Sequence, residues 1–168
     1  MTPPYSFELV QSRETYLAYL RLRQAIFCDE QGLFKGSDED EWDAAAFPIA
    51  AVQPGAREGE EVVGTVRIYE AEPGLWYGGR LGVARGHRKQ GLVGRGLVHK
   101  AVTTAHGWGC QRFLALVQVA NVPFFEGMHW RSLEERSYRD HPHHLMQADL
   151  ESYPPGDEPR PPPGQRFR

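Results

Sequence analysis

A glycine-rich and basic stretch, residues 88–97, constrains the fold of this chain most strongly. It reads Arg-Lys-Gln-Gly-Leu-Val-Gly-Arg-Gly-Leu and follows a run with strand character, residues 75–83. After it, apolar residues recur at helical spacing until Gly107. Glycines let the backbone approach an anion closely, and the first N–H groups of a helix carry partial positive charge. The stretch therefore predicts a strand–loop–helix unit that binds a pyrophosphate, with a solvated surface turn as the alternative.

The spacing of the glycines excludes two common nucleotide motifs. Gly91, Gly94 and Gly96 are in the wrong order for the dinucleotide-binding G-x-G-x-x-G pattern, and no Gly-Lys-Ser/Thr follows as in a P-loop. The ligand class is therefore an anion such as a pyrophosphate, without a specified nucleotide.

Composition limits the class of protein. The 168 residues suit one compact domain, and the net charge of −3 argues against general nucleic-acid binding. There are two cysteines, Cys28 and Cys110, and neither a signal peptide nor a membrane span is evident. We expect a cytoplasmic protein with buried, free thiols and no membrane or nucleic-acid partner.

Hydrophobic periodicity predicts alternating strands and helices. In order, these are a strand at 5–10, a helix at 14–31 capped by Ser12, strands at 48–53, 62–69 and 75–83, the helix after Gly96, a strand at 112–119, a short helix at 121–129, and strands at 130–137 and 144–150. This order has few parallel crossovers, so it predicts an α+β fold of mixed α/β layers. We expect a mostly antiparallel twisted sheet with helices on both faces.

Two further segments have biased composition. The acidic block at residues 37–43 is typical of a loop or short helix that faces solvent. From residue 151 onward there are six prolines and no aliphatic side chains. This composition predicts a domain at residues 1–150 and a disordered tail at 151–168.

Residues 88–93 resemble the phosphate loop Arg/Gln-x-x-Gly-x-Gly/Ala of the GNAT superfamily of acyl-CoA-dependent N-acyltransferases, except that Val93 takes the last place. Residues 63–67 and 79–83 look like the third and fourth strands of that family, and residues 121–130 like its Asn-led segment. The resemblance covers about residues 5–150. The 22–32 stretch and the ending His-Leu-Met at 144–146 look closest to acyl-homoserine-lactone-synthase-like proteins, and also to bacterial nitrogen-starvation N-acetyltransferases.

The resemblance implies a binding site for acyl-CoA. The pantetheine arm would pair with the backbone of Leu81, Gly82 and Val83 as an added strand. The pyrophosphate would accept hydrogen bonds from the backbone of the loop, with Arg88 and Lys89 as its charge partners. The loop residues concerned are Arg88, Lys89, Gln90, Gly91, Leu92, Val93 and Gly94. Asn121 would bind the arm near the thioester, and an N–H near Val83 would stabilise the oxyanion.

The expected proton donor of the family is missing. Many members have a tyrosine where this chain has Phe125, which we expect beside the cofactor arm but which cannot donate a proton. Water, His129, Tyr138 or His144 could protonate the departing thiolate.

Acidic residues are candidates for the acceptor site. No acid lies in the 75–83 strand, and Glu30, Glu39, Asp43 or Glu70 could deprotonate the amine through water. We expect Glu30, Glu39, Asp40 and Asp43 to border the site of a cationic acceptor. A merely solvated charged loop is the alternative.

The run His-Pro-His-His at 141–144 has too few ligands at helpful spacing for zinc, so we expect no metal. We interpret it as a loop that leads into the last strand, with His144 facing the acceptor pocket.

The leading hypothesis is an N-acetyltransferase that uses acetyl-CoA and a small amine acceptor, by direct attack in a ternary complex. One alternative keeps the fold but uses an acyl-carrier protein and S-adenosylmethionine, as lactone synthases do. Another is a non-catalytic acyl-CoA-binding sensor or accessory protein. A homodimer stays open.

Overall fold

A seven-stranded sheet with three α-helices forms the protein. The computed structural model describes residues 5–54 and 60–161. The strands are β1 (Ser6–Leu9), β2 (Phe47–Pro54), β3 (Glu60–Glu72), β4 (Leu75–Val83), β5 (Arg112–Gln118), β6 (Trp130–Tyr138) and β7 (His141–Ala148). The helices are α1 (Arg13–Arg23), α2 (Leu92–Gly107) and α3 (Val122–Glu126). The turn predicted between β2 and β3 lies outside the described residues.

The strand order is β1-β2-β3-β4-β5-β7-β6, and every neighbouring pair is antiparallel except β4 and β5. The predicted α+β fold with a mostly antiparallel sheet is therefore confirmed. The parallel pair is short, because its ladder runs only from Leu75 opposite Arg112 to Gly78 opposite Ala115. Beyond that point β4 continues to Val83 and β5 to Gln118, but these two strands no longer pair with each other. This leaves a split between them in the middle of the sheet.

Helices cover both faces of the sheet. On one face α2 buries Leu97 and Val102 against Ile49 and Trp76, which are all fully buried. On the other face Tyr19 of α1 packs on Val52. The two helices thus pack on opposite faces of the sheet.

The first helix begins as predicted and ends differently. The Ser12 side chain accepts a hydrogen bond from the Thr15 N–H, as an N-cap does. After Arg23 the chain continues as π-helix over Gln24–Glu30. This wider turn buries Ile26 and Phe27 against Gly82 of β4. A Cβ at position 82 would lie only 2.8 Å from Ile26 Cδ1, so the contact requires glycine.

The prediction that residues 151–168 form a disordered tail is wrong for residues 151–161. Tyr153 is buried and its hydroxyl accepts a hydrogen bond from Trp130 Nε1 at 3.1 Å. Further along, the Gly156 N–H donates to the Thr103 carbonyl of α2, and Glu158 pairs with Lys100 at 2.7 Å. Polar and aromatic contacts with α2 replace the aliphatic core that the segment lacks. Residues 162–168 lie outside the described part of the chain.

The last strand begins three residues earlier than predicted. His141–His143 belong to β7, and the turn before them carries Arg139 and Asp140 at φ 50° and 64°. The interpretation of this run as a loop is therefore wrong, because a two-residue hairpin turn brings it into pairing with β6. Within the described residues, no helix is both long and apolar enough to span a membrane.

Candidate active site

A cavity of about 450 Å³ opens at the split between β4 and β5. It is lined from both faces of the sheet, by Val98 and Phe125 on the side of α2 and by Phe27 and Tyr138 on the other. The residues named from sequence that line it are Asp40, Leu81, Asn121, Phe125 and Tyr138. The cavity therefore passes through the sheet where backbone pairing stops.

The end of β4 presents backbone groups to the split. Ala84 donates its N–H to the Val63 carbonyl of β3 at 2.8 Å. Because successive N–H groups of a strand point to opposite sides, the Val83 N–H points away from β3 and toward the split. The Val83 carbonyl, on that same side, accepts a hydrogen bond from Arg88 Nε at 2.8 Å.

The glycine-rich loop turns sharply before α2. Gln90 and Gly91 both have left-handed backbone, at φ 61° and 66°, and Gly91 is the N-cap of α2. A side chain is strained in this conformation, which explains the glycine at 91. The helix starts at Leu92, earlier than predicted, so the N–H groups of Val93 and Gly94 belong to its first turn, which has no preceding helical carbonyls to pair with.

Val93, the irregular residue of the loop motif, does not obstruct the loop. Its side chain is buried on the sheet, where a Cβ on Gly64 would lie 2.8 Å from Val93 Cγ1. Gly64 of β3 thus makes room for the larger residue. Gly96 has a packing role, since it lets α2 approach the Phe7 ring.

The cations around the loop differ in their partners. Arg88 makes a two-pronged ion pair with Glu30, with both N–O distances at 2.7 Å. The hydrogen bonds from Arg88 hold the pKa of Glu30 below its usual range. Lys89 and Arg95 are exposed and make no ion pair with any described residue. Glu30, predicted at the acceptor site, therefore lies beside the loop and does not line the cavity.

Asn121 and Phe125 stand at the other side of the split. Asn121 is the residue before α3, and its side chain makes no capping hydrogen bond there. Phe125 is buried and packs edge-on against Trp130, with ring centroids 5.0 Å apart. Both follow the end of β5 that does not pair with β4.

The acidic block does not face solvent as predicted, because three of its carboxylates are bound by arginines. Arg23 is fully buried and contacts Asp38 at 2.7 Å and Asp43 at 2.8 Å. Two more arginines bind Asp40. These are Arg67, at 2.7 and 2.8 Å, and Arg80, at 3.2 Å. The acidic block and these arginines therefore form an ordered wall of the cavity, called the wall below.

This charged cluster affects the ionisation of its members. Burial alone would raise the pKa of Asp43, but hydrogen bonds and charge from Arg23 outweigh it and lower that pKa to about 2. Burial likewise opposes ionisation of Asp40, and Arg67 more than offsets it, so the pKa of Asp40 is also lowered. Both carboxylates are ionised and neutralised at physiological pH, so neither is a free base.

The same wall carries an acid without an arginine. Glu41 lines the cavity and makes no ion pair within the described residues. Beside it, Trp42 stacks on Tyr69 at 4.5 Å and Tyr69 on Tyr77 at 5.8 Å, with interplanar angles of 15°. Glu39, which was predicted here, is exposed and does not line the cavity.

The two histidines predicted from sequence, His129 and His144, do not line the cavity. His129 is exposed and has a left-handed backbone at φ 70°. His144 is hydrogen-bonded to Ser132 Oγ at 2.7 Å and does not line the cavity. Its neighbour His143 does line it and is buried. No group of three or more potential metal ligands exists among the described residues.

His143 has a defined tautomer. Its Nδ1 lies 2.8 Å from the His141 carbonyl oxygen. A carbonyl can only accept, so Nδ1 carries a proton, and in the neutral ring Nε2 is the nitrogen with the lone pair. The His143 ring packs edge-on against Tyr138 at 5.5 Å, and both side chains line the cavity.

Comparison with known families now decides the class of protein. The model of the acetyltransferase (GNAT) family matches residues 16–130, which is more than half of the chain. This chain belongs to the acetyltransferase (GNAT) family. It is therefore an acyl-CoA-dependent N-acyltransferase, an enzyme that transfers an acyl group to an amine.

Solved structures support the same GNAT fold. Escherichia coli ElaA is similar with a TM-score of 0.71 and 23% identity, over 86% of this chain and 98% of that one. An acyl-CoA N-acyltransferase from Pseudomonas aeruginosa gives 0.69 and 21%, over 86% and 98%. The CoA-dependent acyl-homoserine lactone synthase BjaI, solved with SAM and isopentyl-CoA, gives 0.67 and 17%, over 88% and 84%. Among curated protein sequences none matches this chain.

Four residues that line the cavity were not predicted from the sequence as site residues: His143, Glu41, Trp42 and Tyr69. Alternation could have found the first, because Met146 and Ala148 are buried core residues of β7 and share a face with His144. His143 must then point the other way. The aromatic stack had no local signature, since Trp42 and Tyr69 come from distant segments.

Proposed function

We propose that this enzyme transfers an acetyl group from acetyl-CoA to the primary amine of a small molecule, by direct attack within a ternary complex. The observation that carries the proposal is the split between β4 and β5, with the glycine-rich loop at one end and a cavity that continues through the sheet. A donor in the split and an acceptor entering from the opposite face would meet there.

The donor side would hold acetyl-CoA through backbone groups and two free cations. Val83 and its neighbours on β4 offer unpaired backbone groups to the two amides of pantetheine. The first turn of α2 offers N–H groups to the pyrophosphate. We assign its charge partners as Lys89 and Arg95, because the guanidinium of Arg88 is already occupied by Glu30 and the Val83 carbonyl.

Three residues would perform the chemistry. Acetyl-CoA, when bound, supplies the acyl group as a thioester. The Val83 N–H would stabilise negative charge that develops on the carbonyl oxygen. His143 Nε2 would accept the proton of the attacking amine, and Tyr138 would donate a proton to the departing sulfur. Asn121 would orient the donor arm through its uncommitted amide.

A thiol-release assay tests the proposal together with thermal stabilisation. Saturating acetyl-CoA should stabilise the protein by about 3 kcal/mol at a hundredfold excess over Kd. Release of free thiol should then require a primary amine and match amide formation one to one. Stabilisation without thiol release across a broad amine panel would favour a CoA-binding sensor. Turnover only with an acyl-carrier protein and S-adenosylmethionine would favour a lactone synthase.

A further inference from the structure

We infer that the acceptor is an arylalkylamine, a primary amine on a short chain that ends in a flat aromatic ring. This inference rests on the proposed acyl transfer and names the substrate class for the same site. It is carried by the shape, charge and rigidity of the cavity wall opposite α2.

Aromatic rings dominate that wall. Trp42, Tyr69 and Tyr77 form a parallel stack, with centroid separations of 4.5 and 5.8 Å, and all three line the cavity. Phe27 and Phe34 line the same side. Aromatic side chains favour flat aromatic partners over saturated ones by about 0.5–1.5 kcal/mol beyond the area that they bury.

The charge of the wall suits a monocation. The positive charges of its two arginines are paired with carboxylates, because Arg67 binds Asp40 through both terminal nitrogens and Arg80 binds Asp38 and Asp40. Arg67 Nε has no hydrogen-bond partner among the described residues, but it is buried. Glu41 is the lining carboxylate with no arginine partner among the described residues. Glu41 therefore attracts a protonated amine to the cavity. An amino acid would bring its own carboxylate close to Glu41 and be repelled.

The wall is also built before any ligand arrives. Asp40 accepts a hydrogen bond from the Trp42 N–H at 3.0 Å, and Asp43 accepts one from the Asp40 N–H at 3.0 Å. Arginines hold both carboxylates, so the turn that carries Glu41 and Trp42 is fixed. Binding a ring there costs little ordering of the protein.

The test is kcat/KM with four amines at saturating acetyl-CoA: 2-phenylethylamine, 2-cyclohexylethylamine, phenylalanine and spermidine. We expect 2-phenylethylamine to exceed 2-cyclohexylethylamine about fivefold, since stacking is worth up to about 1.5 kcal/mol. It should exceed phenylalanine and spermidine about tenfold or more. A preference for spermidine or phenylalanine, or equal values for the two ring amines, would overturn the inference while leaving acyl transfer intact.

Two variants sharpen the test. Trp42→Leu should lower kcat/KM for 2-phenylethylamine about tenfold and that for 2-cyclohexylethylamine less than threefold. Glu41→Gln should raise KM for 2-phenylethylamine several-fold. The control variant Glu39→Gln, at a carboxylate that does not line the cavity, should leave KM unchanged. An equal loss for both amines in Trp42→Leu would contradict the stacking argument. Absence of thiol release with every amine would overturn the proposed function itself, and the substrate class with it.

Discussion

The glycine-rich loop is built from one continuous segment, whereas the wall of the cavity is built from segments that are distant in the sequence. The loop before α2 is one contiguous stretch, and its shape follows from a left-handed turn at Gln90 and Gly91. The wall is assembled from the segment around Trp42, from β3, β4 and the β6–β7 hairpin, and is joined by ion pairs between residues 15 to 42 positions apart. Under the proposed function, local backbone geometry would bind the donor, and long-range side-chain contacts would bind the acceptor.

The largest expected effect is a loss of folding stability when the ion pairs of the wall are broken. Arg23→Met removes a fully buried guanidinium and leaves Asp38 and Asp43 short of a partner. The free energy of unfolding should fall by about 3–5 kcal/mol, measured by urea denaturation. Arg21→Met, on the exposed side of the same helix, should cost less than about 0.5 kcal/mol. Equal losses in the two variants would mean that the cluster does not hold the wall.

The next prediction separates chemistry from donor binding. His143→Asn should lower kcat about a hundredfold or more, because it removes the proposed base, and should leave the Kd of acetyl-CoA unchanged. Added imidazole should restore part of the activity, which loss of a merely structural side chain would not permit. His144→Asn is the matched control and should change kcat less than threefold. A larger loss in His144→Asn would contradict the assignment of the base to His143 and favour a role for His144, which the sequence predicted to face the acceptor pocket.

A smaller effect concerns acid stability of the wall. The pKa of folded Asp43, about 2, lies below its ordinary value of 3.8, so the ion pairs stabilise the fold fully above about pH 4. That contribution, about 2 kcal/mol, should disappear as the pH falls toward 2. Unfolding curves at pH 5, 4, 3 and 2 should therefore show a smaller decline in Asp43→Asn than in the unmodified chain. Identical declines would contradict the assignment of the shift to Asp43.

Much of the fold could be predicted from sequence. Periodicity located every strand within a few residues, and few parallel crossovers indicated a mostly antiparallel sheet. The loop was also visible, since the glycine at 91 reports directly on local backbone conformation. The tail at 151–161 was not, because its order comes from contacts such as Trp130 with Tyr153 and Lys100 with Glu158, which composition does not encode.

In the candidate site, the sequence located the glycine-rich loop but not the ion pairs of the acidic block. Charge pattern identified the acidic block but not its partners, so Asp40 and Asp43 looked free when arginines from three other elements bind them. For the same reason Glu30 was predicted at the acceptor site, although its carboxylate accepts hydrogen bonds from Arg88 beside the loop. The error over His144 arose from a three-residue shift in where β7 begins, which also concealed His143.

The most direct test of this division is calorimetric titration of acetyl-CoA into two variants. Lys89→Glu combined with Arg95→Glu reverses both free cations of the loop and should weaken binding at least about a hundredfold, since each of the two charge-assisted contacts is worth about 1.5–3 kcal/mol. Lys35→Glu with Arg131→Glu, a double reversal at exposed sites away from the loop, and His143→Asn should each bind within about twofold of the unmodified enzyme. Full affinity in the loop variant, or loss of affinity in His143→Asn, would contradict a loop that binds the donor and a wall that serves the acceptor.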